Sequence, residues 1–134
     1  MIDIDRDGAG GEDILGAEEV LSVPEASVDL VTSNLGLHFT NDTPGVLLQI
    51  RRALRPDGLF IGAMLGGETL NELRQSLLAA EAELAGGASL RVLPFAELRE
   101  AGSLLQRAGF ALPVIDQDRL TGRYDHLFAL MAGL

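Results

Sequence analysis

Apolar positions along the chain fall into two spacings, short dense runs and stripes recurring every three or four residues, and each stretch predicts one element. Val28 to Asn34 (VDLVTSN) mixes β-branched and apolar residues with polar interruptions directly after Pro24-Glu25-Ala26-Ser27. A buried strand following a turn has that pattern. Asn41-Asp42-Thr43-Pro44 then offers a capping side chain and a proline at the first helical position, with Leu47, Ile50 and Leu54 at helical spacing behind it. This predicts a helix from about Pro44 to Leu54. Arg51, Arg52 and Arg55 would lie at its C-terminal end, where the macrodipole favours cations, and Pro56-Asp57-Gly58 would break it into a turn.

Leu59 to Leu65 (LFIGAML) is almost wholly apolar, which suits a parallel strand covered on both faces. Thr69-Leu70-Asn71-Glu72 has the form of a capping box, with Leu70, Leu73, Leu77, Ala80 and Leu84 as an apolar stripe and Gly86-Gly87 as the stop. That stripe is expected to pack on the sheet. A third helix is expected from about Phe95 to Ala108, with Leu98, Ala101, Leu105 and Ala108 on one face and Gly109 as a left-handed cap. Strand-like sequence resumes at Val114 to Leu120, and Tyr124 to Met131 has the makings of a short helix. The first 25 or so residues form a poorly defined lead: Ile2 and Ile4 alternate with acids, and the glycines at 8, 10 and 11 read as loop.

Strands alternating with helices across such connections imply parallel pairing by right-handed crossovers, hence an α/β layered fold in one domain over 1–134. With 47% hydrophobic and 22% charged residues the chain has the composition of a folded globular protein rather than a disordered one. A net charge of −10 repels phosphate backbones and anionic headgroups, so nucleic acid is not an expected partner. No apolar run approaches the ~20 residues of a membrane span. The absence of cysteine excludes disulfides and thiolate metal sites, no metal site is expected, and the location read from these features is cytoplasmic.

Ser27-Val28-Asp29-Leu30-Val31-Thr32-Ser33-Asn34-Leu35-Gly36-Leu37-His38-Phe39, then Asn41-Asp42, then Ile50-Arg51-Arg52-Ala53-Leu54-Arg55-Pro56-Asp57-Gly58, resembles class I S-adenosylmethionine-dependent methyltransferases. In that family these are the fourth strand, its loop, a helix and the turn into the fifth strand. Phe60 to Leu70, with Glu72-Leu73-Arg74, resembles the branch containing the complex I assembly factor methyltransferase-like proteins. The malonyl-carrier-protein methyltransferases of biotin synthesis share the Leu-His-aromatic loop. The resemblance implies methyl transfer to a small-molecule or protein acceptor, or arginine hydroxylation as in members of the first branch.

The resemblance also implies site residues. Asn34 and Leu35 would line the methionine end of the cofactor, and His38 would face the substrate, either as a general base or as a histidine that packs at a strand end. Ala17 aligns with the family's adenine-contacting acid, leaving Glu18 or Glu19 as substitutes by a one-residue shift or as solvent-facing charge. Gly66-Gly67 would admit a substrate or simply turn the chain, and His126 reads as structural or surface.

A glycine-rich cofactor loop after a first strand is not evident. Gly8-Ala9-Gly10-Gly11 opens onto Glu12-Asp13 without helical periodicity, and Ile2 to Asp5 reads as a possible second strand ending in an acid. The expectation is therefore a truncated, partial Rossmann-like parallel sheet lacking the N-terminal strands, since the family's order is 3-2-1-4-5-7-6. Open sheet edges would favour a homo-oligomer, unless Ile2 to Asp5 pairs with the fourth strand within one chain. The other function class is a cofactor-free module that binds a protein partner.

Overall fold

The computed structural model describes residues 2–3, 19–86, 92 and 97–133. Glu18, the glycines at 8, 10 and 11, Asp5 and Phe95 lie outside the described residues. A parallel sheet of β1 (Ile2–Asp3), β2 (Val28–Asn34) and β3 (Leu54–Ala63) has that spatial order, with Ile2 opposite Val31 and Asp3 opposite Thr32. The lead strand pairs with β2 inside one chain. It therefore takes the place the family order gives to the first strand, not the second.

The helix α1 (Thr43–Ala53) connects β2 to β3 as expected, and the strand β2 has the expected bounds. Side-chain chemistry explains the start of α1: the Asp42 carboxylate accepts from Gly45 N at 3.0 Å, and Pro44 occupies the first turn, where its missing N–H costs nothing. A Cβ on Gly45 would stand 2.1 Å from Asp42 Oδ2, so a larger residue there would make the capping carboxylate shift. Val46 and Ile50 are fully buried and Leu47 nearly so, forming a core with Val31, Leu37, Leu54 and Ala108. Each such side chain contributes ~1.5–3 kcal/mol on burial.

The helix α3 (Leu98–Arg107) packs Leu104, Leu105 and the following Ala108 and Phe110 on this core, and Gly109 takes φ +88° as its left-handed exit. It begins later than expected because Glu97 is still extended. The Phe60 and Phe110 rings meet with centroids 5.7 Å apart. The helix α2 (Asn71–Ala85) follows β3, and α4 (Leu127–Ala132) ends the described chain. His126 caps α4, its Nδ1 accepting from Ala129 N at 3.1 Å. Among the described residues no helix is long and apolar enough to cross a membrane.

Several expectations are corrected. Pro56-Asp57-Gly58 does not separate α1 from a later strand; it lies within β3 as an irregularity, with Asp57 at φ +65° and the register jumping from Val28↔Leu54 to Leu30↔Leu59. Arg55 thus belongs to a strand, where it pairs with Asp29 at 2.8 Å on the surface. Among the described elements, α1 and α3 cover β3 on the Val31–Phe60 side, and Leu59 and Ile61 on the other are 55% and 54% exposed.

The start of α2 is not a capping box. Leu70 takes φ +55° as its N-cap and no side chain caps the helix. Its stripe does not seal the sheet either: Leu73 and Leu77 are half-buried, Ala80 and Leu84 are exposed, and four alanines give this helix little apolar area to gain by docking. Val114 to Leu120 is not a strand. Among the described residues no strand pairs with it, and Asp116 and Asp118 instead accept from the N–H groups of Gln117 and Arg119 at 2.8 and 2.9 Å.

Candidate functional site

Parallel sheets place ligands outside the carboxyl ends of their strands, because the loops there diverge and leave a crevice. β2 ends at Asn34, which is exposed, and Leu35 follows at φ +66°. A branched residue in the left-handed region costs ~1–2 kcal/mol, so this conformation persists only where surroundings impose it. One constraint is visible: Leu35 N donates to Ala63 O at 2.9 Å, carrying the β2–β3 ladder one residue past the strand. The strand therefore ends in an abrupt turn with the Asn34 side chain and the Leu35 peptide at its tip.

The turn leads into a short 3-10 helix over Leu37–Phe39. Leu37 is buried in the core and anchors it, while Phe39 is 63% exposed. His38 between them is half-buried, its ring centroid 4.2 Å from that of Phe39. Burial lowers the His38 pKa below its ordinary value, since desolvation penalises the imidazolium. Neutral imidazole at a strand end is able to accept a proton near neutral pH.

Beyond the 3-10 helix the chain is tied at each step. Thr40 Oγ1 donates to Leu37 O at 2.7 Å and lies 2.8 Å from Thr43 Oγ1. Glu19 is 8% exposed, and its carboxylate receives Asn41 N at 2.6 Å, Asn41 Nδ2 at 3.0 Å and Asp42 N at 2.8 Å. The peptide around it is docked on α1 by Gln49, whose Nε2 donates to Glu19 O and whose Oε1 accepts from Leu21 N, both at 2.9 Å. Glu19 itself takes φ +56°.

At the end of β3, Gly66 O accepts from Thr69 N at 2.9 Å, so the glycines make a turn. Arg74 donates to Gly67 O and Thr69 O and fixes that turn against α2. Glu97 lies so close over Gly67 that a Cβ there would stand 2.1 Å from its Oε1. Glu68 and Arg119 pair on the surface.

Asn34, Leu35 and His38 thus stand on five consecutive residues at one strand end, and Glu19 is brought to the same loop from the other side. Sequence reasoning missed the roles of Gln49 and Asn41. A glutamine on the sheet-facing side of a helix, near Ile50, was the signal for the first, since a half-buried amide needs partners. Among the described residues no group of His, Asp or Glu is arranged to hold a metal ion.

Residues 1–62 match a family described as a methyltransferase domain. The chain is 49% identical over 121 residues to "Arginine-hydroxylase NDUFAF5, mitochondrial" of Rattus norvegicus, covering 90% of this chain and 35% of that protein. It is 40% identical over 121 residues to "Malonyl-[acyl-carrier protein] O-methyltransferase" of Xylella fastidiosa, covering 90% of this chain and 39% of the relative. The chain thus spans little more than a third of the length of these curated relatives. A solved S-adenosylmethionine-dependent methyltransferase from Thermotoga maritima, described as a possible histamine N-methyltransferase, superposes with a TM-score of 0.53 at 22% identity, over 72% of this chain and 44% of that one. One from Mesorhizobium loti superposes with a TM-score of 0.53 at 21% identity, over 72% of this chain and 51% of that one. These two establish the shared α/β fold.

Proposed function

We propose that the chain belongs to the class I S-adenosylmethionine-dependent methyltransferase family, whose domain its residues 1–62 match and whose fold it shares, and that the carboxyl end of β2 holds S-adenosylmethionine and presents His38 to a methyl acceptor. The observation that carries this reading is the abrupt, strained strand end, where an exposed amide and a left-handed residue stand four and three residues before a half-buried imidazole. Their chemistry fits the cofactor: the Asn34 amide offers an oxygen and N–H groups, and the Leu35 carbonyl a further oxygen, to an amino-acid end carrying ammonium and carboxylate. S-adenosylmethionine supplies the transferable methyl group when bound.

In this reading Asn34 and Leu35 orient the cofactor and His38 receives the proton released by the acceptor's nucleophile. The acceptor is a small molecule or a protein group. The rat relative is named for arginine hydroxylation, a different reaction; methyl transfer is the one proposed for this site. The expected cytoplasmic location is carried with the proposal, beside the mitochondrial one that the same name gives to that protein. We further propose that copies associate through the outer edge of β3 and the half-open face bearing Leu59 and Ile61.

Titration calorimetry with S-adenosylmethionine on two variants tests the site. Asn34→Ala is expected to weaken affinity by about tenfold, the value of one good polar contact. His38→Ala is expected to leave affinity within about threefold and to act on transfer instead. Equal affinity in wild type and Asn34→Ala would contradict the assignment.

A further inference from the structure

We propose that Glu19 is a positioning residue that clamps the His38 loop from below, and that it does not touch the cofactor. Its carboxylate offers about four lone-pair sites, and N–H donors on Asn41 and Asp42 take three of them at 2.6 to 3.0 Å. Bonds of this length to an ionised acceptor are charge-assisted and strong, and at 8% exposure water does not compete for them. An adenine amino group would have to reach a carboxylate that is buried and already holds three donors, and displacing any of them would leave that donor without its acceptor.

Two further observations show that the arrangement is built rather than incidental. Glu19 adopts φ +56°, a conformation unfavourable for a residue with a long side chain, and Gln49 holds the peptide on both sides through Glu19 O and Leu21 N. What the carboxylate grips is the short link between the His38 turn and the start of α1. Thr40 ties that link back to Leu37, and Asp42 passes it into the helix by accepting Gly45 N and Val46 N. The clamp therefore fixes the loop at both ends of the segment that follows His38. A chain without it would keep α1, which is anchored by Val46, Leu47 and Ile50, while the turn bearing the imidazole would be free to move.

The inference rests on the proposed function only for what the loop presents, and its test separates the two. Glu19→Gln keeps one oxygen acceptor and replaces the other by an NH2 group that faces an N–H donor. Amide hydrogen exchange on the whole chain is expected to accelerate by about tenfold at Asn41 or Asp42, with the amides of Val46 to Ile50 within about twofold of wild type. The His38 ring-proton resonances are expected to shift while the Ile50 methyl resonances stay in place. Affinity for S-adenosylmethionine is expected to change by less than about threefold. Unaltered exchange at Asn41 and Asp42 would overturn the clamp, as would uniform acceleration through α1, or a tenfold loss of cofactor affinity with the loop still protected. If wild type does not bind the cofactor, the proposed function fails, and exchange and the His38 resonances still decide the clamp. Glu19→Asp, whose shorter side chain keeps the charge but retracts from the loop, serves in the same measurements if the glutamine variant does not fold.

Discussion

The carboxylate of Glu19 and the imidazole of His38 show how the same loop constrains one side chain and exposes another. His38 is held partly out of water, and burial lowers its pKa from about 6.5. Between that lowered value and 6.5 the unfolded chain binds more protons than the folded one, so the His38 contribution to stability is present above 6.5 and is lost as pH falls through the folded pKa. The ring is therefore more fully neutral at pH 7 than a free histidine, which suits a proton acceptor. An NMR titration of the ring protons should give a midpoint below 6.5, and His38→Ala should remove the corresponding slope from stability against pH. A midpoint above 6.5 would mean that a charge partner, not desolvation, governs the ring. The same scale explains why Glu19 was ambiguous in the sequence: two consecutive glutamates before a strand do not reveal which one turns inward, and only the Asn41 and Asp42 N–H groups decide it.

At the scale of elements, α1 carries the site by fixing where the loop must end. Its N-terminal side-chain cap is a single interaction, Asp42 to Gly45 N, with the carboxylate lying against the space a Cβ at Gly45 would fill. Asp42→Ala should cost ~1 kcal/mol in denaturant unfolding. Gly45→Ala should cost about as much by displacing the carboxylate, and the double variant should cost less than the sum because both remove one cap. Additive losses would show that the cap is not shared. The strand β2 and the helix α1 were legible because caps, Pro44 and apolar spacing all agree there.

Agreement failed where the signal depended on partners. Val114 to Leu120 has strand-forming residues but, among the described residues, no strand beside it, so local Asp116 and Asp118 bonds prevail. The stripe on α2 has helical period yet is rich in alanine, and Thr69-Leu70-Asn71-Glu72 has the form of a capping box although Leu70 there adopts a left-handed conformation. Of the candidate site, the Asn34 to His38 segment was visible from its family resemblance. The brace through Glu19 and Gln49 was not, because it joins residues 30 apart in sequence.

For the whole molecule, one face of the sheet is packed and the other is half open. α1 and α3 cover Val31 and Phe60, while Leu59 and Ile61 on β3 remain more than half exposed, and β3 is the outer strand of the described sheet. Exposed apolar strand edges favour pairing with another chain. Light scattering coupled to size exclusion should therefore show a dimer or larger species, and Ile61→Lys should shift it towards monomer. A monodisperse monomer at the highest workable concentration would remove the association proposal without affecting the site.

The account as a whole stands on the carboxyl end of β2 being a cofactor site, and titration of the wild-type chain with S-adenosylmethionine tests that most directly. The predicted result is saturable binding in the micromolar range with one site per chain, weakened by Asn34→Ala. Absence of any saturable heat up to millimolar cofactor, with the chain folded, would contradict it.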